Sequence, residues 1–250
     1  AQTRKHLSHK AVECIIDFGE KGFPGILVET IAIFINNLAA PANTKVFSLT
    51  HRLHLTQPQA YIFDPELPYW IIYRNQLFDS VCRKLDFDVF EVFRDRQLTN
   101  KLLSSSGELR VLKSRNLSDD GKEILDIPGY DSYISYAAAK PLSVFQYLDA
   151  SNVYLTPNMT YKPRMMKKPP HCVVNGSLAI LIPKGGIVPT EKQLAYFSSE
   201  EYRAFYQIAR NFQTRSLNVD ACSVFFYGLL RDEAKPAPEK FDTSVQLSFL

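Results

Sequence analysis

The sequence predicts an α/β chain of the α+β kind: half of an α/β sheet at the start, then a mixed region of short strands and long loops. Three observations carry this expectation. Residues 14–18, CIIDF, and Ile26 to Ile35, ILVETIAIFI, are apolar runs rich in β-branched residues, as buried strands of a covered sheet are. Beyond QPQAYIFDPELPYW the texture changes to short strand patterns separated by long loops. A chain of 250 residues with 46% hydrophobic residues buries a sizeable core, as one large domain or two smaller ones.

Element by element, RKHLSHKAVE reads as a short helix leading into CIIDF. GEKGFPG is a mobile loop, ILVETIAIFI a central strand apolar on both faces, and KVFSLT a shorter neighbour. A loose boundary falls near residue 66, giving domains over 1–65 and 66–250. QLFDSVCRKL follows as a helix, and GELRVLK, NVYLT, CVVNGSLAILI and SVFFYGLL as strands. One helix is expected from Thr190 to Asn211, with Thr190 as its N-cap and Glu191 in its first turn. Tyr196, Phe197, Phe205 and Phe212 fall partly on its core face. RDEAKPAPEKFDTSVQ reads as a proline-broken linker or arm.

Net charge is only +3, so any basic footprint must be local. Four widely spaced cysteines with no CxxC pair point to a reducing, cytoplasmic setting. The most apolar run is ten residues long and contains Glu29, too short and too polar for a bilayer, and the polar start AQTRKHLSHK carries no signal peptide pattern. No membrane partner is expected.

Two stretches concentrate cations. Between Ala150 and Thr190 stand five, Lys162, Arg164, Lys167, Lys168 and Lys184, with no acid among them. From Arg94 to Arg115 run Arg94, Arg96, Lys101, Arg110, Lys113 and Arg115 against only Asp95 and Glu108. Both stretches carry amides, hydroxyls and tyrosine, which bond phosphate oxygens or read base edges once cations have drawn a duplex close. Solvated basic loops are the bland alternative. In LTPNMTYKPRMMKKPP, prolines 157, 163, 169 and 170 stiffen an extended loop whose Lys162, Arg164, Lys167 and Lys168 meet phosphates, while Asn158, Thr160 and Tyr161 reach base edges. Met165 and Met166 are expected in the core. In the other stretch Arg94, Arg96, Gln97 and Asn100, with Lys101, and then Lys113, Arg115 and Asn116, are the candidates. Arg pairs with guanine and Asn or Gln with adenine. Arg215 completes the set at the end of the helix, where Arg210 complements the dipole.

IIDFGEKGFPGILVETIAIFI, WIIYRN, VFRDRQLTNKLL, RVLKSRNL, GYDSYI, YLTPNMTYKPR, VNGSLAILIPK and YFSSEEYRAFYQIARNFQTRSLNVD together resemble the carboxy-terminal part of adenine-specific DNA methyltransferases of Type II and IIS restriction-modification systems. The order strand, basic loop, strand, helix is also similar to target-recognition domains of the Type I specificity-subunit kind. The resemblance covers nearly the whole chain. It implies that residues 1–65 are the last strands of a Rossmann-like catalytic sheet and that 66–250 form a target-recognition domain for double-stranded DNA. The full-length enzyme would use S-adenosylmethionine and flip its target adenine. Phe23, in the Phe-Pro segment before ILVETIAIFI, matches the aromatic that stacks on the flipped base, a contact of about 1–3 kcal/mol.

The chain departs from that family where the chemistry sits. It has no Asn/Asp-Pro-Pro-aromatic tetrapeptide, KPPH and LPYW being decoys, and GEKGFPG spaces its glycines as GxxGxxG ahead of a strand rather than a helix. No catalytic residue, cofactor-binding residue or metal ligand is therefore assigned, and the amino-terminal methyltransferase half is expected as a partner. Rival chemistry is thin. His6/His9 and His51/His54 lack completing ligands, and Cys222 has only a distant His171. A restriction endonuclease would need Glu233 and Lys235, which lie in a proline-rich tail. A protein-interaction module built on the aromatic-rich segments is the remaining alternative.

Overall fold

The computed structural model describes residues 2–213 and 218–232. The fold is α+β with several small sheets. These residues group into two compact units, one of 2–83 with 207–213 and the other of 84–206 with 218–232. The first therefore runs past the boundary expected near residue 66.

In the first unit α1 (Gln2–Leu7) precedes β1 (Ala11–Gly19), β2 (Thr30–Asn36), β3 (Asn43–Ser48), β4 (Leu53–Pro58), α2 (Gln59–Ile62) and all but the last residue of α3 (Gln76–Lys84). The sheet order is β2-β1-β3-β4, with β1 parallel to β3 and the other two pairs antiparallel. Among these residues the turns from β1 through β4 carry no helix. β1 starts three residues earlier than CIIDF because a buried amide anchors it. Gln59 Oε1 accepts from the Val12 N–H at 2.7 Å, its Nε2 donates to Lys10 O at 2.8 Å, and Thr44 Oγ1 donates to Val12 O at 2.7 Å. β3 alternates, with Thr44, Val46 and Ser48 buried.

β2 corrects the sequence expectation. It is an edge strand rather than a central one, with Ile31 51% and Phe34 52% exposed, and Ile26, Leu27 and Val28 lie outside the strand and exposed. An apolar run reads the same whether its outer side is covered or bare; β2 pairs only with β1. Behind the sheet, Tyr61, Ile62, Ile71, Phe78 and Val81 are buried, and Arg74 ties the corner by bonding Asp79 at 2.8 Å and Asp64 at 2.7 Å.

The second unit contains β5 (Leu85–Asp86), β6 (Phe90–Phe93), β7 (Leu109–Leu112), β8 (Ser132–Ile134), α4 (Tyr136–Ala139), β9 (Tyr154–Pro157), β10 (Met166–Lys167), β11 (Cys172–Val174), β12 (Leu178–Pro183), α5 (Glu191–Tyr196), most of α6 (Glu200–Ala209) and β13 (Leu229–Leu230). An antiparallel sheet orders β10-β9-β12-β6, and a second places β7 between parallel β11 and antiparallel β8. β13 pairs with β5. Leu109, Val111, Leu112, Leu155, Val173, Leu178 and Ile180 form one core with Ile134 and Val144. Each fully buried side chain of this size stabilises by about 1.5–3 kcal/mol.

Three expectations change here. CVVNGSLAILI is not one strand but two, β11 and β12, in different sheets. Thr190 does cap a helix, with its Oγ1 accepting from Gln193 N and the Gln193 side chain returning to Thr190 N. That helix stops at Tyr196, and α6 begins afresh after Ser199, whose Oγ accepts from Tyr202 N at 3.1 Å. Phe197 and Phe205 are fully buried across the break. SVFFYGLL is not one strand; Ser223–Phe226 coil into a 3-10 turn and only Leu229–Leu230 pair as β13. Tyr202 and Tyr227 explain the choice, donating to or sharing hydrogen bonds with Phe226 O at 3.0 Å and Thr156 Oγ1 at 3.1 Å inside the core.

Candidate nucleic-acid interface

Three loops of the second unit carry the cations singled out in the sequence. The first follows β6. Here the strand ends at Phe93, and the buried Asp95 carboxylate turns the chain by accepting from Gln97 N at 3.3 Å and Leu98 N at 2.9 Å. Gly176 packs so close that a Cβ there would stand 2.6 Å from Asp95 O. Arg94, half-buried, donates to Asn158 Oδ1 at 3.4 Å. Arg96 and Gln97 are exposed, though Gln97 Oε1 also accepts from Ser143 N at 2.6 Å. Asn100 and Lys101 are exposed on the 3-10 turn Asn100–Leu102.

The second loop is the 3-10 turn Ser114–Asn116 after β7. Asn116 is fully buried. Its Oδ1 accepts from Lys113 N at 2.9 Å, and its Nδ2 donates to Asp131 Oδ1 at 2.6 Å and Leu125 O at 3.0 Å. Lys113 places its ammonium 3.9 Å from the Tyr130 ring centre, donating to Ser132 Oγ at 3.0 Å and to Tyr130 O. Burial lowers the Lys113 pKa; Asp131 partly offsets this and the Arg115 charge adds to it. Burial would raise the Asp131 carboxyl, but the Ile127 N–H, the Asn116 amide, Arg110 and Lys113 hold it below the usual carboxylate range. Arg115 is exposed, with its guanidinium carbon 4.7 Å over the same Tyr130 ring.

The third loop, residues 158–164, lies within LTPNMTYKPRMMKKPP, whose four cations divide between surface and interior. Only half face outward. Arg164 is 8% exposed and donates to Lys162 O at 3.1 Å, Ser114 O at 3.3 Å and Leu117 O at 3.2 Å. Lys168 is 3% exposed, its ammonium donating to Leu148 O at 2.8 Å and Pro169 O at 2.9 Å. Burial lowers both pKa values, the Asp119 charge partly opposing it at Arg164 and the Cys172 and Asp149 charges at Lys168. Asn158 is buried as a joint, donating to Gly176 O and Asn218 Oδ1 and accepting from Val219 N. Lys162, Tyr161 and Lys167 are exposed. Lys162 reaches Asp119 at 3.5 Å, and Thr160 closes a turn on the Lys162 backbone. Met165 is buried and Met166 packs on the core, as expected, while Met159 is exposed.

Asn116, Asn158, Arg164 and Lys168 are thus corrections to the expected contact set. A side chain buried and bonded to carbonyls or amides inside the fold cannot turn toward a duplex, even where, as at Arg164 Nε, one buried N–H has no partner. Their effect is to join the loops. Arg164 pins 158–164 to 114–117, and Asn158 holds Arg94. Arg96, Arg115, Lys162 and Tyr161 stand on the segments so joined, and Lys167 stands beyond them on β10. Arg215 lies outside the described residues, as do Glu233 and Lys235.

Phe23 is 56% exposed in the connection between β1 and β2. That connection holds GEKGFPG between two antiparallel strands. It opens no helix, so it lacks the strand-turn-helix that a glycine-rich cofactor loop needs. His54 stacks on Phe47 with centroids 4.3 Å apart, and His171 faces Asp149 at 3.2 Å. Among the described residues no three His, Cys, Asp or Glu side chains are grouped to hold a metal, all four cysteines are free thiols, and no helix is long and apolar enough to cross a membrane. No protein-family model matches the chain, and no curated protein matches it.

Proposed function

We propose that the second unit recognises double-stranded DNA in a sequence-dependent way and serves as the target-recognition part of an adenine-specific, S-adenosylmethionine-dependent DNA methyltransferase of a restriction-modification system. One observation carries the reading: Arg164, buried and bonded to Lys162, Ser114 and Leu117 carbonyls, fastens two cation-bearing loops side by side. Exposed guanidinium, ammonium and phenol groups then stand on a braced scaffold, which lowers the ordering cost of meeting phosphates and base edges. The first unit would be the end of the catalytic sheet, with Phe23 presented for a flipped adenine. Its parallel β1/β3 pair and exposed Phe23 support this.

The apolar edge strand β2, with Ile31, Phe34 and Ile35 exposed, favours a role for the first unit in docking the amino-terminal methyltransferase half. Supplying that half is the condition under which methylation is expected.

Selection of the purified chain against a randomised duplex library tests the reading. Enrichment of one recurrent sequence is the expected result. Recovery of an unenriched pool, or magnesium-dependent cutting of the library, would overturn it.

A further inference from the structure

Resting on the duplex-recognition reading, we infer that Arg115 is a guanine-discriminating residue, whereas Arg96 contacts phosphate. The two guanidiniums are both exposed, and they differ in how they are held. Arg96 has neither an acid nor an aromatic ring against it among the described residues, so it follows a phosphate without demanding one geometry. Arg115 lies over the Tyr130 ring at 4.7 Å. A planar fork held close over a ring loses less freedom when it bonds two acceptors, and guanine offers two, O6 and N7, in the major groove.

The backbone beneath Arg115 is fixed from several sides. Asn116 closes the turn on Lys113 N, Ser114 N donates to Ser177 Oγ at 2.9 Å, and Arg164 holds Ser114 O and Leu117 O. The neighbouring guanidiniums are already engaged: Arg110 bonds Asp126 at 2.6 Å and Asp131 at 2.9 Å, and Arg164 is buried. Of the expected base-reading pair Arg115 and Asn116, only Arg115 faces outward, because the Asn116 amide is enclosed. Tyr130 is therefore a positioning residue. Its ring, 4.7 Å from the central carbon of the fork, limits where the fork can stand.

The test compares wild type with Arg115→Lys, Arg96→Ala and Tyr130→Leu on the library-selected duplex and on its single-base-pair variants, across a salt series. Melting curves confirm the fold of each variant. Arg115→Lys keeps the charge and loses the fork. It is expected to flatten the preference at one G·C pair by roughly tenfold or more while the salt slope stays near wild type. Tyr130→Leu should weaken the same preference and no other. Arg96→Ala should lower affinity for every duplex alike and reduce the salt slope by about one. If Arg115→Lys preserves discrimination at every position, Arg115 is not a base reader and the inference falls. If wild type itself shows no preference among duplexes, the recognition reading fails first and this inference with it.

Discussion

Arg164→Ala separates an internal brace from a surface contact. The side chain makes three hydrogen bonds to carbonyls at 3.1, 3.3 and 3.2 Å, and it is 8% exposed. Bonds from a charged donor contribute about 1.5–3 kcal/mol each, at shorter lengths near 2.7–2.9 Å. At the distances here about 1 kcal/mol each is the better figure, so truncation costs about 3 kcal/mol, with the emptied space adding to it and the avoided burial of a charge subtracting. With a urea slope of about 3 kcal/mol/M, the unfolding midpoint falls by about 1 M. Duplex affinity should fall too, because the loops lose their common anchor. The salt slope should hold, because no phosphate contact is removed. An unchanged midpoint together with a slope reduced by about 0.9 would refute the reasoning and make Arg164 a phosphate ligand.

Other consequences follow from the same geometry. Lys168→Met removes the bonds to Leu148 O and Pro169 O and should destabilise by about 2 kcal/mol with no change in salt slope, which denaturation and binding titrations measure side by side. Thr190→Ala deletes the cap of α5 and should cost about 1 kcal/mol in denaturant melts, whereas Thr190→Ser should be near neutral. Burial pushes the Cys82 thiol up to about 12, the Arg74 charge partly opposing. A raised folded pKa means that the folded state keeps its proton where the unfolded chain has lost it. This contribution is complete below the ordinary thiol range and is lost as pH rises through 9 to about 12; Cys82→Ala should flatten that stretch of the stability curve.

Much of the scaffold was legible because short-range chemistry dictated it. The Thr190 cap, the QLFDSVCRKL helix and the GELRVLK strand follow from capping residues and apolar spacing, and the structure has each of them. The edge position of β2 was not legible, since an apolar run does not say which of its sides will be covered. The start of β1 depended on Gln59, which is 47 residues away in sequence from its bond partner Val12. Within LTPNMTYKPRMMKKPP the composition gave the cations, yet only the fold sorts Arg164 and Lys168 inward from Lys162 and Lys167 outward. Neighbouring residues carried no sorting signal, since exposed Lys162 adjoins buried Pro163 and exposed Lys167 adjoins partly buried Met166 just as Arg164 adjoins Met165. Tyr130, 15 residues beyond Arg115, stands in GYDSYI, but nothing in that stretch pairs it with Arg115 before the chain folds.

The most direct measurement is duplex affinity as a function of salt, followed by anisotropy of a labelled duplex. With Arg96, Arg115, Lys162 and Lys167 exposed, the account predicts that log K falls against log salt with a slope of about −3 to −4, less the share of any cation that reads a base. A slope indistinguishable from zero would contradict it.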